Sequence, residues 1–205
     1  MTSSSPSQAG SFAAAIVVAG GRARRMGGVD KLALPVGDRS LLDRVLAAAQ
    51  PRCRRLVVVG PHRPTLTNGV MFVREDPPGG GPVPAVATGL DAVGGAAFVV
   101  VLAADLPLLA ATDVDHLVDV LADRAVDVAA AVDHQGRPNP LLAAYRVIAL
   151  RARLAELGAA ARGAKAARLL PPALCAVDLG NVATMNVNDP DDLEAARSVH
   201  ARREP

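Results

Sequence analysis

The chain has 205 residues, enough for one domain with a substantial core, and its 51% apolar and 20% charged content suits a packed globule and excludes wholesale disorder. A formal charge of +2, with one Tyr, three Phe and no Trp, supplies neither the field nor the stacking surfaces of a nucleic-acid binder. Two cysteines, Cys53 and Cys175, stand far apart with no metal-ligand spacing, which argues against a zinc site or a disulfide framework.

Residues 1–11, beginning MTSSSPSQAG, have no basic region followed by an apolar stretch and read as a flexible tail rather than a signal peptide. Residues 12–203 read as one domain. Apolar, β-branched runs predict strands at 13–19, 55–60, 70–73, 96–104 and 126–132, with a further strand at 140–147. Between them SLLDRVLAAAQ (40–50) opens with a Ser N-cap. TDVDHLVDVLADRA (112–125) starts with Thr112 and carries Asp115 three residues on, a loose capping box. A long Ala/Arg-rich helix is expected over 148–170 and a terminal helix over 191–202. The longest apolar run, AAFVVVLAA, stops at Asp105, short of the roughly 20 residues that cross a bilayer. A soluble, cytoplasmic protein without membrane partners is expected. The βαβ alternation predicts an α/β sandwich with a mostly parallel sheet, which binds ligands outside the carboxyl ends of its strands.

Residues just after strands therefore carry the functional reading. AIVVAGGRARRMGGVDK (15–31) breaks from a strand into Gly20-Gly21 and then gathers Arg22, Arg24, Arg25 and Lys31. Glycines let backbone N–H groups approach phosphate oxygens, and the cations would neutralise a polyphosphate. Neither G-x-x-x-x-G-K-[ST] nor G-x-G-x-x-G occurs here, and taken alone the run also fits a glycine turn with a solvated basic face. FVVVLAADLPLL (98–109) ends an apolar strand on Asp105, which is costly to bury without a partner and so is either a cation ligand or a loop cap. REDPPGGGPVPAVATGL (74–90) sets Asp76 before a Pro/Gly turn and a helix-like run. MNVNDPDDLEAA (185–196) alternates Asn186 and Asn188 along an extended segment, so that both face one way before Asp189-Pro190 opens the last helix.

The loop VAGGRARRMGGVDK (18–31) resembles the signature LAGG-x-x-x-R-M-G-x-x-K of the nucleotidyltransferase superfamily, and its ending is similar to that of molybdenum cofactor guanylyltransferases of the MobA type. That resemblance implies a Rossmann-like three-layer α/β/α sandwich. It makes Ala19, Gly20, Gly21, Met26 and Gly27 the phosphate-wrapping backbone and Arg25 and Lys31 the phosphate-contacting charges. Asp105, in a D-x-P element with Leu106-Pro107, becomes the magnesium ligand, so Mg2+ is the expected cofactor. Asp76 and Gly81 match the loop beside the nucleoside, although Pro84-Ala85 stands where the family commonly has Ala-Gly. Asn186 and Asn188 match the asparagines near the metal and pterin phosphate. DHQGRPNPLLAAYR (133–146) and ARGAKAARLL (161–170) are similar to the acceptor region, with Arg137, Arg162, Lys165 and Arg168 available to its terminal phosphate.

The activity so implied is transfer of GMP from GTP to the phosphate of molybdopterin, with pyrophosphate released; other molybdenum cofactor proteins would be transient partners. After the second strand the family's guanine-contacting Asn is replaced by GPHR (60–63), leaving Gly60, Pro61, His62 and Arg63 as candidates to line the base. Related readings remain open on sequence: CTP with molybdopterin, GTP with a phospholactate-type acceptor, or a non-catalytic nucleotide-binding protein.

Overall fold

The computed structural model describes residues 12–20 and 29–203. In chain order the strands and α-helices are β1 (Ala13–Val18), β2 (Pro35–Val36), β3 (Arg39–Ser40), α1 (Leu41–Ala49), β4 (Cys53–Val59), β5 (Val70–Val73), α2 (Pro82–Ala92) and β6 (Phe98–Ala103). They continue with α3 (Ala111–Asp123), β7 (Val128–Val132), β8 (Pro138–Arg146), α4 (Val147–Leu157), β9 (Cys175–Val177), α5 (Gly180–Ala183) and α6 (Pro190–Ala201).

Among the described residues, seven strands form one sheet in the order β5-β4-β1-β6-β8-β7-β9. In that sheet β8 runs antiparallel to its neighbours, β6 and β7, and the other pairings are parallel. The central strands are apolar on both faces because both are covered. Ala15 and Val17 of β1 pack with Leu42, Leu46, Val114 and Leu117 of α1 and α3, while Ala14 and Ile16 pack with Val86 and Leu90 of α2 and Leu150 of α4. These are the three layers expected from the sequence. Gly89 lets α2 sit close: a β-carbon there would lie 2.5 Å from Ile16 Cγ2. A third, smaller cluster joins Val36, Leu41, Leu108, Val187, Leu193 and Ala196, and so fixes the β2–β3 hairpin and α6 to the loop after β6.

The chain steps outward from β1 through β4 to β5, then returns to β6 on the other side of β1. The order of strands reverses there, which opens a crevice outside the carboxyl ends of β1 and β6. Among the described residues no helix is long and apolar enough to cross a membrane.

Two local expectations are corrected. The helix predicted over 148–170 is α4 alone, ending at Leu157; two 3-10 turns, Gly158–Ala161 and Ala166–Leu169, follow it. Gly158 and Gly163 adopt φ of +45° and +73°, conformations that stop a helix whatever the Ala/Arg content around them. At the start of α3 the capping acid is Asp113, whose carboxylate accepts the Ala110 N–H at 2.8 Å; Thr112 lies inside the first turn. The Ser40 cap of α1 and the Asp189 cap of α6 form as expected, with side chains accepting the N–H groups of Asp43 and Asp192.

Candidate active site

Four chain segments meet at the crevice. The first is the end of β1, where the sheet ladder continues past the strand: Ala19 N donates to Val59 O at 2.9 Å, and Ala104 N to Val18 O at 3.1 Å. Ala19 is buried and Gly20 exposed. Gly60 lies against them so closely that a β-carbon on it would be 2.8 Å from Ala19 O. Gly21, Arg25, Met26 and Gly27 fall outside the described residues.

Where the description resumes, Asp30 caps the 3-10 turn Lys31–Ala33 and sends Lys31 across the crevice. Lys31 Nζ donates to Asp105 Oδ2 and to the Val187 carbonyl, both at 2.7 Å. Val187 N in turn donates to Asp105 O at 3.0 Å. Residues 74 and 156 positions from Lys31 are thereby joined at one point. The side chains of Lys31 and Asp105 are 19% and 22% exposed, so the pair is open to a ligand from one side.

Residues 185–188 form no strand, yet the alternation holds: Val187 is buried in the third cluster, and Asn186 and Asn188 are exposed on either side of it. The Asp105 carboxylate is a hard-oxygen donor. Among the described residues no three His, Cys, Asp or Glu gather to cage a metal. Mg2+ is ordinarily held by one or two carboxylates plus ligand phosphate oxygens, so the residues present fit it.

In the loop after β4, Arg63 is engaged within the chain. Arg63 donates to both carboxylate oxygens of Asp30, from Nε at 2.6 Å and Nη2 at 3.1 Å, and from Nη1 to Pro61 O. His62 rests its ring on Phe72 of β5, 4.7 Å between centroids. No sequence spacing signals the Arg63–Asp30 pair, since 33 positions separate its members.

In the turn after β5, Asp76 is exposed and precedes a cis peptide to Pro77. Its neighbour Glu75, passed over in the sequence reading, is partly buried and accepts the Gly80 N–H at 2.9 Å. Glu75 Oε1 also faces Gly20, 3.9 Å from where a β-carbon would stand. Gly81, with φ of +99°, is the N-cap of α2, and Pro82 occupies the first helical position.

Segment 161–168 comes to this same turn: Gly163 N donates to Gly80 O at 2.7 Å, and Arg162 Nη1 lies 3.7 Å from the position of a β-carbon on Gly80. Lys165 and Arg168 are exposed beside it. Arg137 sits on the β7–β8 hairpin at the same end of the sheet, engaged with Asp133 at 2.8 Å. The Asp133 carboxyl is held down to about 2, chiefly by the backbone N–H of Arg137. Arg44 buttresses the far side, donating to Pro107 O at 2.6 Å and Val36 O at 3.0 Å.

The fold is shared with solved structures. Molybdopterin-guanine dinucleotide biosynthesis protein A from Archaeoglobus fulgidus superposes with a TM-score of 0.70 at 21% identity, covering 92% of this chain and 98% of that one. 2-C-methyl-D-erythritol 4-phosphate cytidylyltransferase from Thermus thermophilus gives 0.69 at 19% identity, covering 93% and 100%. In sequence, a probable molybdenum cofactor guanylyltransferase of Mycobacterium avium (strain 104) is 36% identical over 138 residues, 65% of this chain and 68% of that protein. Residues 15–172, from β1 through the turn beyond α4, match the family described as MobA-like NTP transferase domain. The chain belongs to that family, and it is a nucleotidyltransferase.

Proposed function

We propose that residues 12–203 act as one catalytic domain that transfers GMP from GTP to the terminal phosphate of molybdopterin. An acceptor oxygen forms a bond to the α-phosphorus, the bond to the bridging α,β-oxygen breaks, and pyrophosphate leaves with the electron pair. The product is a guanine dinucleotide cofactor. The observation that carries this reading is the meeting of Lys31, Asp105 and the 186–188 segment at the carboxyl ends of β1 and β6. The 36% identity to relatives named for guanylyl transfer supports the choice of substrates.

A phosphate nucleophile is already anionic, so the site needs positioning and charge neutralisation more than a general base. Ala19 and Gly20 present backbone to the phosphates, and Gly21, Met26 and Gly27 are assigned to the same task. Arg25 and Lys31 offset phosphate charge. Asp105 would hold Mg2+, with Asn186 and Asn188 beside it; when bound, that ion would neutralise charge on the phosphate oxygens. Asp76 and Gly81 lie on the nucleoside side. Arg162, against the Gly80 turn, Lys165 in the same segment and Arg137 on the β7–β8 hairpin receive the acceptor's phosphate.

Thermal-shift titration with GTP, CTP, ATP and UTP in magnesium tests the nucleotide. A ligand at a hundred times its Kd stabilises by about 2.7 kcal/mol, so GTP should raise the melting temperature most. Asp105→Asn should abolish the magnesium-dependent part of that shift. A larger shift with CTP would overturn the guanine assignment.

A further inference from the structure

We infer that Arg63 is a positioning residue for nucleotide binding, one that fixes Lys31 through Asp30; this rests on the nucleotidyltransfer reading above.

The connection after β4 touches both ends of the stretch between Gly20 and Asp30. At the entry, Gly60 packs on Ala19 and Gly20 with no room for a side chain: a β-carbon would stand 2.8 Å from Ala19 O and 3.2 Å from Gly20 N. At the exit, the guanidinium of Arg63 takes both oxygens of Asp30, a bidentate geometry that sets orientation as well as distance. One short loop therefore contacts both Gly20 and Asp30. The loop is itself tied down, because Leu66 N donates to the buried Asp43 carboxylate at 2.8 Å.

Asp30 passes the constraint inward. Its Oδ1 also accepts the Leu32 N–H at 3.3 Å, capping the turn that starts at Lys31, while Leu32 anchors in the core. With its preceding carboxylate gripped and its following residue buried, the backbone of Lys31 is held so that its side chain reaches Asp105 and Val187. The Asp30 side chain is 46% exposed, so the ion pair adds little to fold stability, and its consequence falls on the turn that carries Lys31. Arg63 is 15% exposed and directed at Asp30, which separates this role from direct contact with a base.

The test measures Mg-GTP affinity by calorimetry, with steady-state kinetics and melting temperature, for the full chain and for Arg63→Ala, Arg63→Lys, Asp30→Ala and the double variant. Arg63→Ala should weaken Mg-GTP binding by about tenfold or more and lower kcat as well, because a small misplacement of the Lys31 charge is costly. Arg63→Lys keeps the charge without the fork and should recover only part of the affinity. The double alanine variant should bind no worse than Arg63→Ala, as a shared interaction requires. Should Arg63→Ala fail to fold, Arg63→Lys and Asp30→Ala carry the same comparison. Affinities of the variants within about twofold of the parent, or effects that simply add, overturn the inference. A parent chain that binds no nucleotide would instead overturn the functional reading and the inference with it.

Discussion

Replacing Lys31 with Met removes an ammonium and keeps most of its stem, so the change separates charge from packing. In the free chain that ammonium makes two hydrogen bonds of 2.7 Å, to Asp105 and to Val187 O. Asp105 is 22% exposed and keeps access to water after the change. The folding cost is thus that of one screened ion pair and one charge-assisted hydrogen bond, about 1–2 kcal/mol. For a chain of this size that lowers the melting temperature by about 2–8 °C. Loss of a preorganised charge at a transferring phosphoryl group costs far more in rate, about 10²–10³-fold in kcat. The assay is pyrophosphate release from GTP and molybdopterin at constant temperature, with a melt of the same preparation. If kcat stays within about threefold of the parent while the melting temperature falls as stated, Lys31 is only a tie between the end of β6 and the C-terminal segment. The charge-neutralisation argument is then refuted.

Gly60→Ala should destabilise by about 1–3 kcal/mol, because its β-carbon meets the Ala19 carbonyl and one of the two strand ends must shift; urea unfolding measures it. Cys53 is buried, and burial pushes its thiol up to about 12 despite Arg52 nearby, so iodoacetamide at about pH 8 should modify Cys175 first, as mass mapping of the adduct will show. Asp133 is held down to about 2 in the folded chain, below its unfolded value, so its contribution is present above about pH 4 and is lost as pH falls towards 2. Asp133→Asn should therefore lower the urea midpoint at about pH 7, and the gap to the parent should narrow at about pH 3.

The sheet was legible because burial on both faces leaves a mark in composition. β1, β6 and Leu56–Val59 of β4 are apolar runs closed by nearby Gly or Asp, and no helix of this length needs that pattern. β9, three residues long, and the two-residue strands β2 and β3 leave too little periodicity to read. The stretch after Leu157 misled because alanine and arginine favour a helix locally, while the left-handed conformations of Gly158 and Gly163 end it. At the site, Asp105 was visible as a charge closing an apolar strand. Its pairing with Lys31 was not, since a contact spanning 74 positions is set by topology. The Arg63–Asp30 pair is hidden for the same reason: nothing local to GPHR announces Asp30. Glu75 is not singled out by sequence from Asp76 beside it; its partial burial and the Gly80 N–H it accepts distinguish the two acids only in the fold.

The central claim is best tested by pyrophosphate release from each of the four nucleoside triphosphates with molybdopterin as acceptor, the organic product being identified by mass. The account predicts release with GTP, dependence on magnesium, and a molybdopterin guanine dinucleotide. Turnover with CTP in preference to GTP, or GTP bound tightly with no dinucleotide formed, would contradict it.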